Sequence, residues 1–227
     1  HELLDVLNNV KGLEWMRLHY AHPAHLHKEV IQRFSSLEKL APYIDMPTQH
    51  GSDKVLKDMK RGLNSTGIKK RIDMLRNANP DIAIRTSIIV GFPNETDKDF
   101  KELYSFIKNV EFDRLGVFKY SEEEGTHGAK YFTDNVPDEV KQSRYEEIML
   151  LQQKINFNKN KSRVGSVEKV VIDFNNQDNV SIGRSVKDAP EIDNYVKIDE
   201  QLDVGKFYNV KIKKAYEYDV LGEVANV

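Results

Sequence analysis

The 227-residue chain contains no cysteine, which excludes disulfides, thiolate metal sites and a cysteine nucleophile from these residues. It carries little net charge, −2, so no excess of one sign commits the whole molecule to a polyanionic partner. It also lacks any run near the ~18 consecutive apolar residues of a membrane helix, and any charged-then-apolar leader with a small-residue cleavage site. With 39% hydrophobic and 31% charged residues, the expectation is a cytoplasmic globular protein that buries at least one core. The opening His1 runs straight into a helical pattern, Leu3, Leu4, Val6, Leu7 and Val10, as though the sequence were cut from something longer.

What is present divides at the basic run Asn158 to Arg163, where helical spacing ends and alternation begins. Before it, strands at 15–20, 43–48, 82–90 and 114–120 alternate with helical patterns at 24–34, 53–61, 66–78 and 97–110, and a long helix at 138–162 closes the series. Apolar strands separated by amphipathic helices predict a parallel sheet covered by helices, because parallel strands need long crossovers. After Val164 the period becomes two, with short strands near 167–174, 179–186, 194–199, 206–216 and 220–226. Five such strands in about 60 residues predict a small antiparallel barrel of the oligonucleotide-binding type. The expected domains are therefore 1–163 and 164–227. The second holds 8 Lys/Arg against 12 Asp/Glu and is acidic, net −4, which leaves the first at +2.

Ligands of parallel α/β sheets bind at the carboxyl ends of strands, and four such ends are visible. The first, Tyr20-Ala21-His22-Pro23, belongs to a histidine group, His19, His22, His25 and His27, whose spacing across a proline does not converge on a metal; no metal site is expected. The second, Gln49-His50-Gly51-Ser52, offers an amide that fixes a ligand, an imidazole that exchanges protons, and a helix cap. The third, Gly91-Phe92-Pro93-Asn94-Glu95-Thr96, ends an apolar strand on a glycine that a ligand could approach closely, a stiff proline, and a capping box between Thr96 and Asp99. By itself the stretch reads first as a plain tight strand-to-helix turn. The fourth, Tyr120-Ser121-Glu122, leads into a run of glutamates of the kind usually found in solvated loops. Arg85, amid a buried strand, needs a carboxylate; either a ligand or a structural partner such as Asp45 would serve.

"YIDMPTQHGSDKVLKDMKRG", "RTSIIVGFPNET", "FDRLGVFKYSEEEGTHGA", "VPDEVKQSRYEEIMLLQQ", "GRSVKDAPEID" and "YEYDVLGEV", in this order, resemble the radical-SAM methylthiotransferases, and within them the RimO type. The resemblance implies the later part of a TIM-like radical-SAM barrel, then a TRAM domain, in a fragment that starts after the second barrel strand. Asn94 stands where the family usually has a second glycine. In the intact enzyme the resemblance implies S-adenosylmethionine and two [4Fe-4S] clusters, a radical that abstracts hydrogen from a β-carbon, and methylthiolation of an aspartate of a small-subunit ribosomal protein. The fragment, without cysteines, is expected to hold no cluster and to be inactive alone. Residues implied near the cofactor are Gln49, His50, Arg85, Ser87, Gly91, Phe92, Pro93, Tyr120 and Ser121; no catalytic residue is assigned.

The partner expected for the acidic barrel is a basic ribosomal protein, met through Asp188, Glu191 and Asp193 of "KDAPEID". The alternatives are the sister tRNA-modifying class and a noncatalytic RNA-binding protein. Both require a phosphate-attracting surface, for which the row Lys211, Lys213 and Lys214 is the main candidate.

Overall fold

A computed structural model describes residues 1–225. The chain forms two compact units, residues 1–40 with 44–152, and residues 41–43 with 153–227. The division runs inside the long helix rather than at the change of hydrophobic period.

Strands β1 (Met16–Leu18), β2 (Leu40–Asp45), β3 (Ala83–Val90) and β4 (Arg114–Lys119) form one sheet in the order β1-β2-β3-β4. The β1/β2 and β3/β4 pairs are parallel, and a parallel bridge from Gln49 to Ile88 prolongs β2's line along β3. The helices are α1 (Glu2–Asn8), α2 (Lys28–Arg33), α3 (Asp53–Asp58), α4 (Ser65–Ala78), α5 (Asp97–Val110), α6 (His127–Tyr131) and α7 (Asp138–Arg163). A 3₁₀ turn at Pro23–His25 splits the first expected helix. Its cause is Pro23, whose fixed φ starts a turn while the extended residues His22, Leu26 and His27 interrupt the helix.

Burial follows the periods written in the sequence. Helix α5 buries Phe100, Leu103, Phe106, Ile107 and Val110 on one stripe and starts on the expected capping box, with Thr96 and Asp99 exchanging hydrogen bonds. Ile44, Met46, Leu56, Ile68, Ile72, Leu75, Ile84, Ile88, Leu103 and Ile107 are fully buried. Each contributes roughly 1.5–3 kcal/mol of transfer free energy, before the entropy of ordering is subtracted.

Strands β5 (Val167–Asn175), β6 (Ser181–Ser185), β7 (Val196–Ile198), β8 (Phe207–Ala215) and β9 (Val220–Val224) close a barrel in the order β5-β6-β7-β9-β8. Val170, Ile172, Val196, Ile198, Val210, Ile212 and Val220 fill it. One pairing departs from the expected antiparallel pattern, because β7 and β9 run parallel. Parity requires a departure: strands of alternating direction cannot close a ring of five. The last expected strand reached 226, and Asn226 lies outside the described residues.

Candidate active site

Three consecutive strands end in backbone of the left-handed region: Tyr20 beyond β1 (φ 56°), Gln49 beyond β2 (φ 72°) and Gly91 beyond β3 (φ 73°). Each turns the chain sharply at the end of the sheet where α/β folds place their ligands. Gln49 is held there by ladder bonds to β3, its N–H reaching the Ser87 carbonyl at 2.9 Å and its carbonyl accepting from Ile89 at 2.8 Å.

The Gly91-Phe92-Pro93 corner is occupied by the protein's own side chains. Glu95 Oε2 accepts the backbone N–H of Gly91 at 2.7 Å and of Phe92 at 3.2 Å. Arg144 from α7 pairs with Glu95 Oε1 at 3.0 Å and with Asp97 at 2.8 Å. On the sheet side, His50 Nδ1 accepts the Ser52 N–H at 2.9 Å, so its neutral ring carries the proton on Nε2, 3.5 Å from Glu95 Oε2. Glu95, Arg144, His50 and Ser52 are buried, while Asp97 stands exposed. The expected room for a ligand above Gly91 is filled as well. A Cβ there would sit 2.3 Å from Lys141 Cγ, and Lys141 Nζ reaches the Tyr120 carbonyl and Asp134. Glycine is needed at 91 for its φ and to admit that lysine. The expected cap by Ser52 is also redirected: Ser52 precedes α3 without a side-chain cap bond and donates to Asp99 Oδ1 at 2.7 Å.

In front of this corner lies a cleft of about 450 Å³, inside the range of small-molecule sites. Gln49, Ile89, Phe92, Phe118, Tyr120 and Ser121 supply its floor, and Met59, Arg61, Thr126 and His127 are among the residues around it. Phe92 meets the Tyr120 ring edge-on at 5.2 Å and Phe132 at 5.6 Å, giving a rigid aromatic wall. Two buried polar atoms here have no hydrogen-bond partner, Arg61 Nε and Tyr120 Oη. Arg61 Nη2 donates to the Pro47 carbonyl at 2.7 Å, and burial lowers its pKa. The cleft therefore offers the Arg61 cation, a phenol and an apolar wall, with Asp58, Lys119 and Glu123 also on its lining, a set that can meet a ligand carrying a carboxylate and a flat ring. Burial, and secondarily the charges of Glu122 and Asp134, raise the Tyr120 pKa and keep it a donor.

Of the residues singled out from the sequence, Gln49, Phe92, Tyr120 and Ser121 line the cleft. His50, Gly91 and Pro93 are buried in its supporting corner. Ser87 lies on β3, paired with Gly116 of β4. Arg85 Nη1 pairs with Asp45 at 2.9 Å, and Asp45 is almost fully buried; the partner weighed from the sequence is a neighbour on the next strand. Arg61 was missed. Its signal was present, a basic residue just beyond the helix that follows Gln49, but its burial depends on the fold.

In the barrel unit, Asp188 is 1% exposed, accepts from Ser185 Oγ at 2.8 Å and faces Arg163 at 3.9 Å. Arg163 also pairs with Glu168 at 2.9 Å, and these carboxylates raise its pKa against the lowering effect of burial. Asp193 accepts the Ala189 N–H at 2.8 Å and shapes the loop. Only Glu191 of the three expected docking residues stands exposed. On sequence alone, Asp188, Glu191 and Asp193 of "KDAPEID" are expected to meet a partner together, whereas burial of Arg163 draws Asp188 inward as its counter-ion. Among the described residues no cluster of three His, Asp or Glu could hold a metal, and no helix is long and apolar enough to cross a membrane.

Residues 1–107 match the Radical SAM superfamily and residues 164–225 the TRAM domain. The ribosomal protein uS12 methylthiotransferase RimO of Clostridium acetobutylicum is 44% identical over 228 aligned residues, covering 100% of this chain and 51% of that protein. Its counterparts in Acetivibrio thermocellus and Flavobacterium johnsoniae are 44% and 43% identical over 99% of the chain, which spans 50% and 52% of them. The chain thus spans about half the length of these relatives. Coproporphyrinogen III oxidase HemN from Escherichia coli, a radical SAM enzyme, superposes with a TM-score of 0.54 at 16% identity over 68% of this chain and 36% of its own, a likeness of fold.

Proposed function

The chain belongs with the RimO-type radical-SAM methylthiotransferases, and from that membership we propose that it is the S-adenosylmethionine-holding half-barrel and TRAM barrel of an enzyme that methylthiolates an aspartate of ribosomal protein uS12. The observation that carries the cofactor reading is the strand-end cleft with the unpartnered Arg61 Nε and Tyr120 Oη inside it. A half-buried cation with an unpartnered Nε and a flat aromatic wall fit a ligand with a carboxylate at one end and a purine at the other.

In this reading Phe92 and Tyr120 stack against the adenine, Gln49 and Ser121 fix polar groups of the sugar, and Arg61 faces the carboxylate. Arg85 and His50 act from behind, by holding Asp45 and the Glu95 corner. The bound cofactor supplies hydrogen abstraction and a methyl group; this chain orients it and keeps water from it. No cysteine is present, so these residues do not fit an iron–sulfur cluster; we place the cluster ligands in the half of the relatives' length outside this chain.

The barrel's partner in this proposal is uS12 as a basic protein. Glu191 joins the exposed Asp199, Glu200 and Asp203 as the acidic surface. The sister tRNA-modifying reading has one observation in its favour, the exposed Lys211, Lys213 and Lys214 of β8. Lys213 is partly neutralised by Glu223 at 2.9 Å, and the −4 balance of residues 164–227 opposes that reading.

Calorimetric titration of this chain with S-adenosylmethionine tests the cofactor reading. Binding that Arg61→Ala weakens about tenfold or more, the ~1.4 kcal/mol or more of one charge-assisted hydrogen bond, is expected; equal affinity in wild type and variant overturns the assignment of Arg61. Methylthiolation of uS12 by the intact enzyme, with tRNA left unmodified, separates the two partner readings.

A further inference from the structure

Seven non-glycine residues of the described chain have positive φ: Tyr20, Gln49, Lys60, Asn94, Glu111, Asn179 and Glu191. Tyr20 is the sole aromatic among them and is 84% exposed. A single exposed aromatic is ordinary in itself; a bulky residue held in left-handed backbone is not, since glycine or asparagine would adopt that conformation at lower cost. Two bonds fix it there. Asp45 Oδ2 accepts the Tyr20 N–H at 3.3 Å, and the Asp45 carbonyl accepts the Ala21 N–H at 2.8 Å. Asp45 is in turn anchored by Arg85. A buried ion pair thus enforces a strained turn whose result is an aromatic ring displayed to solvent at the ligand end of the sheet. Strain of this kind persists at sites where the displayed group meets something.

That something is not the ligand of the cleft. The cleft is lined from the ends of β2, β3 and β4, and neither Tyr20 nor His22 lines it. His22, two residues on, stacks on His25 at 4.8 Å and accepts the Ala24 N–H on Nδ1 at 3.2 Å, which leaves Nε2–H as a donor on the neutral ring. Burial, then the charges of Arg61 and His25, lower the His22 pKa and keep it neutral. The end of β1 therefore presents an aromatic face and a neutral imidazole donor beside the cofactor cleft. This is the chemistry of contact with a polypeptide segment, where aromatic rings cover backbone and apolar side chains and N–H groups meet carbonyls.

We propose that Tyr20, displayed by the Asp45–Arg85 pair, is a substrate-positioning residue that holds the segment of the protein substrate entering the site, with His22 beside it. The inference rests on the methylthiotransferase reading above. Tyr20→Gly tests it well because glycine removes the ring and relieves the backbone strain together, so lost function cannot be ascribed to a strained variant.

The measurements belong on the intact enzyme with its clusters in place, using uS12 as substrate. Tyr20→Gly is expected to raise KM for uS12 about tenfold, the ~1.4 kcal/mol of one aromatic contact, with affinity for S-adenosylmethionine and Tm retained. Tyr20→Phe is expected to restore most of the lost KM. Unchanged KM in Tyr20→Gly overturns the inference. So does a joint loss of Tm and cofactor affinity, which would make the ring a packing element against the remainder of the protein. A wild-type enzyme that neither binds S-adenosylmethionine nor modifies uS12 sinks the functional reading itself and this inference with it, an outcome distinct from the other two.

Discussion

Glu95 Oε2 lies 2.7 Å from the backbone nitrogen of Gly91, four residues earlier, and this one carboxylate closes the corner at the end of β3. With the Phe92 N–H, Arg144 and His50 around it, it forms a buried cluster that braces the wall of the cleft from behind. Removing the Glu95 side chain leaves two amides without their acceptor and takes from Arg144 its buried carboxylate partner, leaving it the exposed Asp97. Glu95→Ala is expected to destabilise the chain by about 3–5 kcal/mol, and Glu95→Gln by less, since an amide oxygen still serves the two N–H groups. Urea denaturation of both variants checks this; equal and small losses would show that the cluster contributes little.

Gly91→Ala meets both a φ of +73° and Lys141 Cγ at 2.3 Å from the new Cβ. A loss of about 2 kcal/mol or more is expected from strain and overpacking together. Gly125 has a similar φ, +81°, with nothing within 4 Å, so Gly125→Ala should lose only the backbone term, about 1 kcal/mol. The difference between the two midpoints isolates the lysine contact.

Arg61 and Arg85 should separate by what they affect. Arg85→Ala strands Asp45, which is buried, and should lower Tm clearly while changing cofactor affinity little. Arg61→Ala should do the opposite, because burial already disfavours its charge and no carboxylate compensates it. Paired calorimetric titrations and thermal melts check the crossover, and the reverse pattern would return the carboxylate-binding role to Arg85.

Asp99 links the Thr96 cap to Ser52. Burial alone would raise its pKa, but hydrogen bonds from Thr96 and Ser52 and the charge of Lys54 outweigh it and hold it at about 2. With the folded value below the ordinary 3.8, its stabilisation is present above about pH 4 and is lost as pH falls towards 2, an effect of roughly 2 kcal/mol. Asp99→Asn should remove that part of the acid dependence, visible as a flatter plot of unfolding free energy between pH 4 and 2.

Asp188 and Glu191 sit three residues apart and should behave differently. Asp188→Asn weakens the pairing of buried Arg163 and should cost stability, whereas Glu191→Gln, on an exposed loop, should leave Tm unchanged and weaken binding of uS12 in a salt-dependent way. Denaturation midpoints and uS12 titrations at two salt concentrations check both; loss of uS12 binding in neither variant would remove this loop from the docking surface.

The amino-acid sequence by itself determined the two periods, the strand ends and the turn chemistry. Apolar residues at helical or alternating spacing can bury their faces in only one secondary structure, so β3, α4, α5 and α7 were legible nearly to their ends. The Thr96–Asp99 capping box was legible too, because both partners lie within one turn. Tertiary structure decided what each strand end does. Gly91 gives way to Lys141 from 50 positions later in the chain; Arg85 meets Asp45 across 40; Ser52 turns from capping its own helix to bonding Asp99, 47 residues on. Charges behaved the same way: Asp188 and Glu191 read alike as letters, yet one faces a buried arginine and the other water. Local sequence fixes a residue's donors, acceptors and backbone preference. Which of its many possible partners it meets is set by non-local packing, where satisfying one buried charge determines the position of the next.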